Sequence, residues 1–284
     1  MKRFLPAFLM MALSTALAQR NFDDVEIRTE KVADQVYVLF GAGGNIGLAI
    51  GDDAAYLIDD QYAPLTPKIR AAVALVSGQP IRFVLNTHYH DDHTGGNEHM
   101  GEAGALLVAH ENVRRRMAAG TFMKAFNRQV EPAPDGALPV VTFTDAVTFH
   151  MNGEDIRVFH VDHAHTDGDA MIHFPAANVL HMGDAFFNGM DPYTDRNSGG
   201  HIYGVIAAAD RALALSDENT LIIPGHGPMA SKADLQAYRD RLAAIRERVA
   251  GLIAEGLSLE EIQAAKPTAE FDGEVNADGF IKPD

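Results

Sequence analysis

Directly after an apolar run ending at Leu85, the chain reads Thr87-His88-Tyr89-His90-Asp91-Asp92-His93-Thr94-Gly95-Gly96-Asn97. His88 and His90 are two positions apart, so on an extended segment both side chains project to one side. Asp92 and His93 come from the turn that follows, and Gly95-Gly96 lets the backbone curl tightly into a helix. Four potential ligands thus converge between positions 88 and 93, a density that sets the string apart from a solvated polar loop. The chain contains no cysteine, which excludes disulfide frameworks, thiolate metal sites and cysteine nucleophiles. Imidazole nitrogens plus a carboxylate are what zinc accepts when thiolate is unavailable. A catalytic metal needs further ligands from elsewhere in the fold. His165, Asp184 and His226 are the candidates, each beside a small residue or a turn at an expected strand end.

Charge narrows the partners. Lys and Arg total 23 against 39 Asp and Glu, a net charge of -16 with a pI near 5.1, which argues against nucleic acid and anionic membrane surfaces. Hydrophobic residues make up 47% and charged residues 22%, so ordinary burial is expected to fold the chain. Lys2 and Arg3, an apolar run from Phe4 to Leu13 and Ala16-Leu17-Ala18 predict a signal peptide over 1–18 with cleavage after Ala18. The run is too short to span a bilayer of about 30 Å. The expectation is a periplasmic or secreted protein without stable membrane insertion after cleavage, in a compartment where stray thiols would be a liability.

With no repeat or long linker, residues 19–284 read as one catalytic domain. Val25–Val32, Val36–Phe40, Ile46–Ile50 and Ala54–Ile58 predict adjacent antiparallel strands. A helix over Thr66–Leu75 and a short buried strand over Arg82–Leu85 follow. His110–Lys124 reads as helical, and Pro132–Pro139 as a loop. Ala146–His150 and Ile156–Val161 flank Asn152-Gly153, a strong hairpin signal, and strands over Ala170–Phe174 and Val179–Met182 come next. Helices over Ile202–Leu215, Ser231–Leu252 and Ser258–Ala265 enclose a strand over Leu221–Ile223. Strands followed by helices, twice over, predict an α+β fold in which two sheets pack face to face with helices outside: a four-layer sandwich.

The string His88-Tyr89-His90-Asp91-Asp92-His93, with His165 in an Ala-His-Thr setting, Asp184 after Gly183 and His226 in Pro224-Gly225-His226-Gly227, resembles the metallo-β-lactamase-fold hydrolases over essentially the whole of 19–284. The resemblance implies an αβ/βα sandwich with two Zn2+ ions in the cleft between the sheet edges. By that carry-over His88, His90 and His165 hold one ion, Asp92, His93 and His226 the other, and Asp184 bridges them. Asp59 corresponds to a family aspartate that supports the ligands from behind, although Gln61 stands where the family often has Gly.

The activity implied is hydrolysis of a small-molecule amide or ester by a metal-bridging hydroxide, with Asp92 orienting that nucleophile and passing its proton to the leaving group. Asp92 and Asp184 are therefore the catalytic candidates. Asp184, in place of the Cys of the best-known β-lactamases and with no Lys in Ala185-Phe186-Phe187-Asn188, points also to lactones, thioesters and phosphodiesters. β-Lactams stay among the candidate substrates. An iron-dependent sulfur dioxygenase of the same fold, using His88, His165 and Asp184, is the alternative, and the complete second ligand set argues against it. Tyr193, Arg196, Asn197 and His201, in the loop from Asn188 to His201, are the expected substrate rim, with Arg196 the first choice for a substrate carboxylate. The oligomeric state is left open.

Overall fold

The computed structural model describes residues 21–273; the expected signal peptide over 1–18 lies outside them. The first half runs β1 (Arg28–Ala33), β2 (Val36–Phe40), β3 (Ile46–Ala49), β4 (Ala55–Ile58), α1 (Thr66–Val76), β5 (Ile81–Leu85), α2 (Asp91–Thr94), α3 (Asn97–Glu102), β6 (Leu106–His110), α4 (Glu111–Ala119), β7 (Thr121–Met123), β8 (Arg128–Val130) and β9 (Val141–Phe143). The second half runs β10 (Ala146–Met151), β11 (Glu154–His160), β12 (Ala170–Phe174), β13 (Val179–His181), α5 (Ile202–Leu215), β14 (Leu221–Ile223), β15 (Ala230–Ser231), α6 (Lys232–Ala254) and α7 (Leu259–Ala264).

The strands form a seven-stranded sheet, β1-β2-β3-β4-β5-β6-β9, and a six-stranded sheet, β10-β11-β12-β13-β14-β15. Their inner faces share one core. Along β4, Tyr56 and Ile58 enter it, together with Val38 from β2, Val158 from β11 and Ile172 from β12. The alternate residues Ala55 and Leu57 face outward onto Ile69 and Val73 of α1. In the second sheet Met171, Leu180 and Ile222 turn the other way, onto Val205 and Ala209 of α5 and Leu235 of α6. Period-two alternation with both faces apolar produces the expected four layers of helix, sheet, sheet and helix.

Two expectations shift. The first strand begins at Arg28 rather than Val25, and the helix expected over His110–Lys124 stops at Ala119. Gly120 at φ 67 turns the chain, and residues 121–130 fold back as the β7–β8 hairpin. Strands β6 and β9 extend the first sheet beyond what the apolar runs announced. The Asn152-Gly153 turn forms with both residues at positive φ, and Asn152 Oδ1 also accepts from the Asp53 and Ala54 amides.

Strands β4, β5, β6 and β9 are mutually parallel, as are β13 and β14. The loops leaving the C-terminal ends of β4, β5, β13 and β14 meet at one edge of the sandwich. Asn45 stitches this edge. Its side-chain amide donates to the carbonyls of Pro224 and Gly227 at 2.9 Å each, and its backbone amide to that of Gly225 at 2.7 Å. Among the described residues no helix is long and apolar enough to cross a membrane.

Candidate metal centre

Six of the seven expected ligands leave the C-terminal ends of parallel strands: the string from β5, Asp184 from β13 and His226 from β14. His165 comes from the loop between β11 and β12. The fold brings them into two groups, His88, His90, His165 and Asp184, and Asp92, His93 and His226, with the donor atoms inside each group within 4.8 Å of one another. Asp184 stands between the groups. Its Oδ2 faces His165 Nε2 at 3.4 Å and His88 Nε2 at 3.7 Å, while its Oδ1 faces His93 Nε2 at 3.1 Å and His226 Nε2 at 3.5 Å. Asp92 Oδ2 lies 3.3 Å from His226 Nε2. Backbone bulk is excluded here: a side chain at Gly44 would strike the His93 ring, and one at Gly225 the Asp184 carboxylate.

The outer hydrogen bonds fix which ring nitrogens carry protons. Thr87 Oγ1 donates to Asp59, so it can only accept from His88 Nδ1 at 3.0 Å. His165 Nδ1 donates to the Tyr193 carbonyl at 2.6 Å, His90 Nε2 to Asp195 at 3.2 Å and His93 Nδ1 to Asp59 at 2.8 Å. With the outer nitrogen of each ring used as donor, the nitrogen turned inward is the one left to offer a lone pair whenever the ring is neutral. His90 Nδ1 confronts His88 Nε2 at 3.0 Å and His165 Nε2 at 2.9 Å, and Asp184 Oδ1 is buried without a hydrogen-bond donor. Lone pairs crowded in this way repel unless positive charge sits among them. A tetrahedral ion with ligands at about 2.0–2.1 Å spaces its ligand atoms about 3.3–3.4 Å apart, inside the range observed. The donor set fits a divalent cation.

Protons are the competing source of charge. Burial opposes a charge on His93 and His226, but carboxylates outweigh it. Asp184, Asp92 and Asp59 hold His93 well above the ordinary histidine range, and Asp184 and Asp92 lift His226 to about 9. In the first group burial wins, keeping His88 well below its ordinary value and His165 at about 4. Burial alone would raise Asp184, yet His93, His226, His88 and His165 pull it well below the carboxylate range.

Asp59 occupies the supporting position expected of it, fully buried, with φ 64 aiming its carboxylate at Thr87 and His93. Gln61 also has positive φ, the conformation that favours Gly, and its amide donates to the Gly44 carbonyl. Asp195 is a support the sequence did not announce. Buried at 1% exposure, it accepts from Tyr89 at 2.7 Å as well as from His90. Of the expected rim residues, Tyr193 lines the cleft. Asn197 donates to the Phe122 carbonyl, and the His201 ring accepts from the first turn of α5. Arg196 is exposed and does not line the cleft. The arginine that does is Arg128, from the β7–β8 hairpin, forked onto Asp91 at 2.8 and 3.1 Å.

Residues 40–226, which include all seven expected ligands, match the family model of the metallo-beta-lactamase superfamily. The chain belongs to that superfamily. It is 30% identical over 169 residues to a hydroxyacylglutathione hydrolase of Polaromonas sp., a match covering 57% of this chain and 55% of that protein. A hydroxyacylglutathione hydrolase of Nitrosococcus oceani is 27% identical over 226 residues, 75% of this chain and 73% of that one. Among solved structures, a metallo-beta-lactamase from Pontibacter korlensis superposes with a TM-score of 0.65 at 18% identity, covering 77% of this chain and 99% of that one, a likeness of fold. The superfamily match spans the His/Asp cluster, whose donor atoms are placed to hold metal ions, and the chain spans about half the length of the Polaromonas relative.

Proposed function

We propose that this superfamily member is a binuclear zinc hydrolase that cleaves an amide or ester bond of a small exported-compartment substrate. The observation that carries the reading is the placement of Asp184, one carboxylate oxygen toward each ligand group. His88, His90 and His165 would hold one ion, Asp92, His93 and His226 the second, and Asp184 would contact both. When bound, paired zinc ions lower the pKa of water toward neutrality and polarise the attacked carbonyl.

The remaining work falls to the chain. Asp92, 16% exposed at the cleft floor, orients the attacking water and carries its proton toward the leaving group. Tyr193, Phe126 and Phe187 line the cleft around it, and their rings exclude bulk water from the carbonyl. Arg128 offers a guanidinium in the cleft wall to an anionic substituent. Acyl thioesters are a second substrate class, favoured by the likeness to hydroxyacylglutathione hydrolases; the bridging carboxylate and absent Lys keep β-lactams third.

Elemental analysis coupled to a panel of esters, thioesters, lactones, β-lactams and phosphodiesters tests this. Two zinc per chain and turnover abolished by chelator are expected. One iron per chain, or full activity in excess chelator, would sink the reading in favour of another chemistry of the same fold.

A further inference from the structure

The cleft over the ligands has a neighbour. The metal cleft encloses about 250 Å³, and behind its wall lies a second cavity of about 170 Å³. The two share four residues, His90, Asp91, Met123 and Arg128. One side of the back cavity is apolar, formed by Met117 of α4, Met123 of β7, Val130 of β8 and Ala133, Pro134 and Ala137 of the following loop. Its floor rests on the small apolar cluster that joins Tyr89, Val113, Met117 and Leu138. The charged groups on its other side are committed in part elsewhere: Arg116 forks onto Asp167 at 2.6 and 2.7 Å, while Glu98 and Glu131 also line the space.

What separates the two spaces is slight. Arg128 bonds Asp91 across the boundary, and its Nη2 lies 3.6 Å from Met123 Sδ. Both partners of the ion pair are more than 40% exposed, and a pair that wet adds little to holding the boundary shut. Met is the side chain best able to change rotamer without loss of packing. Small-molecule pockets run from about 300 Å³ upward. Neither cavity reaches that size alone, and joined they do.

Resting on the hydrolase reading, we infer that the back cavity is the seat of an apolar substrate tail, an unbranched acyl chain or its equivalent that passes the Asp91–Arg128 pair and Met123 while the scissile carbonyl stays over the ligand groups. Its volume corresponds to roughly five or six water-sized groups, the size of a chain of that many methylenes. The ligand groups in front and the methionine, valine and proline side of the space behind suit an amphiphile. Arg128 stands where the two parts meet, able to face an anionic group on one side and let the chain past on the other.

Ala133 is half-buried in the lining, so Ala133→Phe fills the cavity, and Val130→Ala enlarges it. Calorimetric titration of purified protein with sodium butyrate and sodium octanoate reads the pocket without requiring turnover. Each methylene moved out of water is worth about a fourfold gain in affinity when fully buried. Octanoate should therefore bind at least tenfold tighter than butyrate, with that ratio lost in Ala133→Phe and kept or raised in Val130→Ala. The ratio of kcat/KM for p-nitrophenyl octanoate over p-nitrophenyl acetate should follow the same pattern. Equal binding of the two carboxylates, or an octanoate preference untouched by Ala133→Phe, overturns the inference. A chain-length preference lost in Ala133→Phe with no ester turned over would leave the pocket standing and strike the hydrolase reading instead.

Discussion

The two ligand groups are built differently. His88, His90 and His165 are each held from behind by one acceptor, Thr87, Asp195 or the Tyr193 carbonyl, and all three rings are at most 5% exposed. In the second group His93 is fully buried, but Asp92 is 16% exposed and His226 8% as side chains, and both line the cleft beside His90 and Asp184. Burial keeps His88 and His165 neutral without metal, whereas carboxylates draw protons onto His93 and His226. One is a preformed nest of lone pairs. The other trades protons against metal, at the place where substrate arrives.

The comparison breaks most visibly at Asp184, whose two carboxylate oxygens face one group each. Asp184→Asn removes the charge between them. Metal content should fall at both groups and kcat by about 10²–10³, as when a preorganised electrostatic partner is lost. Loss confined to one ion, read by elemental analysis, would show that the groups are independent.

The pH response of metal-free protein tests the protonation contrast. His226, raised from 6.5 to about 9, binds its proton more tightly when folded. Its contribution is therefore complete below pH 6.5 and lost as pH rises through about 9, on the order of 3 kcal/mol. Asp169, which burial raises to about 8, pushes in the same direction. Denaturant melts should show metal-free protein losing stability from pH 6.5 to 9. Metal-loaded protein should lose less, since ligation prefers the deprotonated rings and leaves only the Asp169 share. Parallel curves would refute the contrast.

Smaller effects come from behind the ligands. Asp195→Asn should weaken metal binding at the first group, and Asp59→Asn at the second, by about 10–100-fold each. Competition with a chromophoric chelator should show one ion affected in each variant, in opposite order. The smallest effects belong to the rim. Arg128→Ala should raise KM for anionic substrates about tenfold, the loss of one charge-assisted hydrogen bond, and Arg196→Ala less than twofold; the reverse ranking would restore Arg196 as the carboxylate partner.

The sequence announced most of the layers because the β2, β4 and β12 segments are apolar on both faces, a pattern that only a doubly covered strand requires. It did not announce the β7–β8 hairpin. Thr121 to Val130 mixes apolar and charged residues without a clear period, and Glu111 to Met117 reads as a helix that only Gly120 stops. The site followed the same division. Ligands clustered in sequence, as at 88–93, are visible as a string. Of the supports only Asp59 was expected, from the resemblance; Asp195 reaches His90 across 105 positions and Arg128 approaches Asp91 from a hairpin that itself went unread.

Asn45, which bonds the backbone on either side of His226, joins positions 179 and 182 apart in the chain. Closing a loop of that length forfeits about 4–5 kcal/mol of chain entropy, and nothing is regained until the second sheet has docked on the first. The two ends of the ligand set thus have different histories during folding. His88, His90 and His93 are neighbours in any conformation, so an unfolded or half-folded chain already offers a weak chelate. His226 joins only after Asn45 has captured its loop. A chain that met a divalent metal too early would hold it loosely by three imidazoles, and a complete site would mark the moment at which the second sheet has docked on the first.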